Sequence, residues 1–422
     1  MATTLSPREH RSWDDADLSD PALYNDPWDF YAWLRQEHPV WWNEPSGCFA
    51  ISRHADVLEV SRTPQRYSSA RGVRPVDIVP LSIVSMDDPE HARQRRILSR
   101  GFTPGQVRRL VPHIRDLTGE VLDRVQGFGR IDFVEDLAKQ VPLVVIAELL
   151  GLDPALCPQL GRWSDAMIVA DGRTDPADPV VAGAAQAFAD YTGLVQQVIE
   201  QRRDDPRDDL LSVLTQAYDE GALDYDEEIK ALYGTADLSN DELMMFCALL
   251  MVAGNETTRN AIAGGLRAFT LFPEERERLL AQPELIDLAV EEIVRFTSPV
   301  LNFARTVTEA HTLHDVDLVP GDKVLLLYQS ANRDEDAFEA PDRFRIDRDP
   351  NPHLAFGFGP HYCLGANLAR AEIKVVYEEL FRRFPDIVAL DPAAPPDRAE
   401  STLVLGMHHL PAAFTPIPTP AP

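Results

Sequence analysis

Four cysteines in 422 residues, Cys48, Cys157, Cys247 and Cys363, are too few and too scattered for a disulfide framework. No two share a C-x-x-C spacing, which removes the usual zinc sites. No apolar run reaches the length of a membrane span, and the polar start "MATTLSPREHRSWDDADLSD" has no signal-peptide apolar segment. Basic residues are also short: 40 Lys and Arg face 68 Asp and Glu, a net charge of −28. That balance opposes nucleic-acid binding and attachment to an anionic membrane, so no nucleic acid and no membrane anchor are expected, and the location is read as cytoplasmic.

What is present is an ordinary globular composition, 45% hydrophobic and 26% charged. "DPWDFYAWLRQEHPV" reads as a helix, with Asp26 as cap and Pro27 in its first turn. "VWWNEPSGCFAISR" reads as two strands around a turn, and residues 54–215 are mostly helical in period. The acidic stretch 216–238 reads as a solvated loop or short exposed helix. Residues 239–272 begin with a Ser239/Glu242 capping box and stay apolar up to Pro273. A helix of that length spans roughly 50 Å and must be buried along most of it. A helix over about 284–297, strand-like pieces "RTVTEAHTLHD" and "KVLLLYQS", and a last helix over about 365–383 follow. The expectation is mainly α with small β-sheets: a flexible N-terminus over 1–20, one domain over 21–410 and a frayed proline-rich tail over 411–422.

The stretch "HLAFGFGPHYCLGANLAR", 353–370, sets Cys363 just before a helix, among glycines that allow tight turns and close backbone approach. A helix N-terminus lowers a thiol pKa. A lone thiolate with no second ligand nearby suits axial ligation of haem iron; the alternative is a buried structural cysteine. The pattern F-G-x-G-x-H-x-C-x-G resembles the haem-binding loop of the cytochrome P-450 family. The resemblance runs from about residue 20 to 410. It implies a triangular-prism fold with a long central helix over haem b (iron protoporphyrin IX), Cys363 as the axial thiolate, and Phe356 and Gly365 against the cofactor.

Three further stretches match the family in order. "AGNETT", 253–258, resembles its oxygen-activating motif. Gly254 would let a ligand approach the helix, Thr257 would open the hydrogen-bond ladder, and Glu256 would supply protons. Glu292 and Arg295, one turn apart, are expected to form a structural triad with Arg343. His91 and Arg95, with Arg305 and His361, match the propionate-binding positions; a guanidinium suits a carboxylate. The substrate pocket is expected from Leu249, Val252 and Ala253, then Val300, Leu301, Asn302, Phe303 and Leu403, closed by loops 73–84 and 402–406, with Asp77 directed to solvent.

The family reading implies a haem-thiolate monooxygenase that uses dioxygen and two electrons to hydroxylate a hydrophobic small molecule: a steroid, terpenoid, fatty acid or polyketide. Its wording is nearest to actinobacterial hydroxylases of sterols and methyl-branched lipids. The alternatives are a peroxygenase or coupling enzyme, or a non-catalytic haem sensor. The chain has no flavin, nicotinamide or iron–sulfur motif of its own. A separate ferredoxin and ferredoxin reductase are therefore expected, docking near Arg93, Arg96, Arg100, Arg108, Arg109, Arg370 and Lys374, with the chain a monomer.

Overall fold

The computed structural model describes residues 13, 15–75, 82–171, 173, 175–219 and 238–418. Its helices are α1 (Trp28–Glu37), α2 (His54–Arg62), α3 (Glu90–Leu98), α4 (Pro104–Val125), α5 (Gln140–Leu150), α6 (Cys157–Val169), α7 (Pro179–Asp204), α8 (Leu210–Asp219), α9 (Leu238–Leu271), α10 (Pro273–Ala281), α11 (Ile286–Thr297), α12 (Tyr328–Ala331) and α13 (Ala366–Arg383). The strands are β1 (Val40–Asn43), β2 (Cys48–Ile51), β3 (Tyr67–Ser68), β4 (Arg130–Asp132), β5 (Asn302–Val307), β6 (His311–Leu313), β7 (Val316–Leu318), β8 (Lys323–Leu327), β9 (Val388–Ala389) and β10 (Pro411–Ala413). One sheet runs β1-β2-β8-β5-β3, a second runs β4-β10-β9, and β6 pairs with β7. Pro27, not Asp26, holds the cap position of α1.

The 34 residues of α9 span about 51 Å at 1.5 Å each. Its Leu243, Phe246, Met251, Ile262, Leu266 and Phe269 are buried in the main core, which also takes in α4, α5, α11 and α13. Two glycines set the closest approaches. A Cβ on Gly264 would collide with Thr297 of α11, and one on Gly265 with the Tyr377 hydroxyl of α13. Tyr377 then donates to the Ile262 carbonyl at 2.6 Å, which ties α13, and the loop that precedes it, to the middle of α9.

Both chain ends differ from expectation. Leu18 is buried, its N–H donates to Asn43 Oδ1 at 3.2 Å, and Trp13 lies 5.3 Å from the Phe30 ring. The segment before residue 20 is therefore partly packed. The expected frayed tail contains β10, the central strand of its sheet, and buried Phe414 lies 4.2 Å from Phe384. Proline spacing hid this, because Pro411 sits at the first position of its strand, where a missing N–H is tolerated. Residues 220–237, most of the acidic stretch, lie outside the described residues. So do the side chains of the Ser239/Glu242 box; α9 itself begins at Leu238.

Candidate active site

Cys363 sits at the end of a loop closed by its own N–H, which donates to the Phe356 carbonyl at 2.8 Å. The loop can turn because Gly357 and Gly359 take φ of 67° and 71°. A Cβ on Gly359 would meet the Ser61 carbonyl, so α2 packs directly on the loop. Gly365 has an ordinary φ of −84°, with open space where a side chain would be. Cys363 keeps accessible surface on one side, while the protein mass around it pushes its thiol up. The N–H groups of Gly365 and Ala366 and the guanidinium groups of Arg95 and Arg370 pull the other way, toward thiolate. Phe356 is half-buried, with the Arg370 guanidinium 4.4 Å above its ring.

Beside this loop, His91, Arg95, Arg305 and His361 converge from α3, β5 and the loop itself. The imidazoles of His91 and His361 lie 4.2 Å apart, and Ser69 Oγ is 3.1 Å from His361 Nε2. Burial keeps both rings neutral, His361 down to about 2 with help from Arg305, His91 and Arg95. Among the described residues, buried His91 Nε2 has no partner, and Arg305, also buried, donates to the Ala304 carbonyl. An orphaned imidazole nitrogen and a guanidinium without a facing carboxylate among the described residues leave room for a further polar group, such as the acidic edge of a haem. The residues present fit the group.

On α9, Ala253 is exposed although Met251 and Asn255 on either side are buried. Thr257 shares its face, and Thr257 Oγ1 donates back to the Ala253 carbonyl at 2.7 Å. Asn260 Nδ2 donates to the Glu256 carbonyl at 2.7 Å, so two side chains compete for the helix's own acceptors here. The side-chain direction of Gly254 faces α5. Its missing Cβ would lie 3.1 Å from Ile146 Cδ1, so the glycine admits α5.

Glu256 points away from Thr257, into a buried polar chain. Its carboxylate contacts Arg259 and accepts from Ser164 Oγ and Asn255 Nδ2, each at 3.2 Å. Arg259 continues to Asp165 at 2.9 Å, and Asp165 to Lys139, also at 2.9 Å. Burial pushes the Glu256 carboxyl up to about 7, Arg259 opposing. For Asp165 burial acts upward too, but Arg259 and Lys139 outweigh it and the net shift is down. Arg259 escaped notice in the sequence, although it repeats the E-x-x-R spacing that singled out Glu292 and Arg295.

Two site assignments need correction. Glu292 holds Arg295 at 2.7 Å, and the third member is Arg348, whose Nε reaches Glu292 Oε2 at 3.1 Å. Arg343 turns outward to Glu274 at 2.7 Å and gives the cluster only its carbonyl. Asn302 does not face a pocket: it accepts from Arg74 at 2.9 Å and donates to the Thr402 carbonyl at 2.8 Å. Leu301 is fully buried with Leu18 and Tyr24. Val300, Phe303 and Leu403 are half-buried, as are Leu249 and Val252. Strand alternation accounts for the split, since Asn302 and Phe303 must point to opposite faces. Asp77 lies outside the described residues. Of the expected basic patch, Arg370 is paired with Glu291 and Lys374 with Asp287, both at 2.6 Å; Arg96, Arg108 and Arg109 are exposed.

The cytochrome P450 family model matches residues 178–415. This chain belongs to the cytochrome P450 family. A steroid C26-monooxygenase from Mycolicibacterium smegmatis is 36% identical over 95% of this P450 and 96% of its own length. Another, from Mycobacterium tuberculosis, is 35% identical over 96% and 98%. Among solved structures, a Mycobacterium marinum cytochrome P450 in complex with pseudoionone has a TM-score of 0.84 at 33% identity, covering 96% of this chain and 100% of that one. CYP109E1 from Bacillus megaterium in complex with testosterone has a TM-score of 0.82 at 32% identity, covering 94% and 99%. The fold is therefore the P450 fold, the cofactor haem b with Cys363 as its axial thiolate, and the enzyme a P450 monooxygenase related to actinobacterial sterol hydroxylases. No helix among the described residues is long and apolar enough to cross a membrane.

Proposed function

We propose that this P450 hydroxylates a neutral, steroid-like molecule. The observation that carries this reading is the incompletely buried apolar set Leu249, Val252, Ala253, Val300 and Phe303 on α9 and at the start of β5, in a chain about one-third identical to steroid C26-monooxygenases over nearly its whole length. An isoprenoid is the second reading, favoured by the likeness to the pseudoionone complex.

Haem, when bound, supplies the oxidising chemistry on dioxygen, which takes two electrons and two protons. Arg95 and Arg305 by charge, and His91 and His361 by hydrogen bonds, would hold its propionates. Thr257 presents a hydroxyl at the Ala253 face and can hold a water there. Glu256, buried and with its pKa near neutrality, can hold a proton and pass it toward that water when its carboxyl turns, while the Lys139–Asp165–Arg259 ion pairs set the charge around it. Glu292, Arg295 and Arg348 support the fold without taking part.

Electrons come from a separate ferredoxin and its reductase, in the cytosol, with the P450 acting as a monomer. The docking face lies where exposed Arg62 covers Phe358 at 4.8 Å and exposed Tyr362 adjoins Arg95 and Arg370. Titration of the ferric protein with steroids, isoprenoids and fatty acids tests the class. A low-to-high-spin shift with steroids, followed by a hydroxylated product under NADPH, ferredoxin and reductase, is expected. A shift with fatty acids alone would overturn it.

A further inference from the structure

Arg74 is buried, its side chain 3% exposed, and joins four segments that are far apart in sequence. It follows the backbone that pairs Val73 with Ala304 of β5. One terminal nitrogen donates to Asn302 Oδ1 at 2.9 Å, and the other to Thr402 Oγ1. That second nitrogen also lies 2.9 Å from Oδ2 of Asp171, in the connection between α6 and α7. A more exposed pair, Arg173 with Glu400 at 2.7 Å, ties the same connection to the turn containing Thr402. Arg74 and Thr402 themselves lie in the two loops expected to close the pocket.

The inner pair is incomplete. Among the described residues Arg74 Nε has no acceptor, and Asp171 Oδ2, although in ionic contact, receives no aligned hydrogen bond. Asp171 is 9% exposed in its side chain, and burial raises its pKa. Two buried charges that touch without satisfying each other are costly unless another group completes them. Nε and Nη2 share one carbon, and Nη2 lies 2.9 Å from Oδ2, so the two unused positions are close neighbours.

We propose that Arg74 and Asp171 anchor a hydroxyl group at the end of the substrate remote from the iron, a specificity element that rests on the hydrophobic-substrate reading above. The vacant positions are one donor and one acceptor. A hydroxyl fills both, accepting from Nε–H and donating to Oδ2. A ketone fills only the first, and a carboxylate would face Asp171. Recognition by buried groups that go unpaired with the wrong ligand discriminates more sharply than apolar fit.

Calorimetric titration of the haem-loaded protein with two matched pairs tests this: cholesterol against 5-cholestene, and farnesol against farnesene. In the unaltered protein each alcohol should bind about tenfold to a hundredfold more tightly than its hydrocarbon. In Arg74→Met and in Asp171→Ala the preference should fall to about threefold or less. The carbon monoxide spectrum should stay unchanged in both, showing an intact haem site. Equal affinities for alcohol and hydrocarbon in the unaltered protein overturn the anchor, which would then hold only water. If neither steroid binds but farnesol is still preferred, the steroid class fails and the anchor stands. If none of the four ligands binds, both fail. Should both variants misfold, the comparison within the unaltered protein decides alone.

Discussion

Arg348 shares the Glu292 carboxylate with Arg295: its Nε lies 3.1 Å from the Oε2 that Arg295 Nε holds at 2.7 Å. Both Glu292 and Arg295 are fully buried, and Arg348 also donates to the carbonyls of Glu339, Ala340 and Arg343. Removing one member of a buried charge cluster leaves the others uncompensated, at roughly 3–5 kcal/mol. Arg348→Met should therefore lower the denaturation midpoint strongly and weaken haem retention. Arg343→Met, which removes an exposed pair with Glu274, should cost about 1 kcal/mol or less. Equal losses in urea denaturation of the two variants would return Arg343 to the cluster.

Thr257 and Glu256 should fail differently. Thr257→Ala removes the hydroxyl on the Ala253 face but leaves the Glu256 network in place. NADPH consumption should continue, with hydrogen peroxide replacing most of the hydroxylated product. Glu256→Gln should slow consumption itself and flatten its pH dependence around pH 7, where the carboxyl now titrates. Peroxide and product per NADPH, measured in both variants, check this. Unchanged coupling in Thr257→Ala would remove it from proton handling.

Glu372 of α13 offers a pH test of stability. It is buried, hydrogen-bonded to Thr258, and burial pushes its pKa up to about 8 from 4.5. The folded state then keeps a proton that the unfolded state has lost over that interval, so stability must fall as pH rises through it. Glu372→Gln should flatten this fall, by an amount on the order of a few kcal/mol across the window. Thermal melts from pH 5 to pH 8 would show parallel curves for the two proteins if Glu372 is already ionised in the fold.

Cys363→His should abolish the red-shifted Soret band of the reduced carbon monoxide complex, since that band reports thiolate ligation. Cys48, Cys157 and Cys247 are all buried, and burial holds each thiol protonated, so serine at any of them should leave the band in place.

Deleting residues 411–422 should destabilise the fold. The cut removes β10, which bridges β4 and β9, and the Phe414 ring that covers Phe384. Burying an aromatic of this kind contributes on the order of 3 kcal/mol, before the lost strand pairing is counted. A truncated protein that melts with the full chain would show that the sheet is dispensable.

The family motifs were legible in the sequence because they depend on short spacings. The cysteine loop, the Glu256–Thr257 pair and the long apolar run of α9 each lie within one local segment, where turn sterics, helical period and a helix N-terminus act. The partners of those residues were not legible. Arg348 and Arg343 stand in the same irregular stretch, and only the path of the chain brings Arg348 inward, 56 residues from Glu292. Asn302 looked like a pocket residue until strand alternation and Arg74, 228 residues away, gave it other work. Gly254 looked like room for a ligand until α5 filled it. The tail looked frayed until β10 found β4. A side chain's type limits what it can bond to, but burial and pairing are set by which distant segments the fold packs against it.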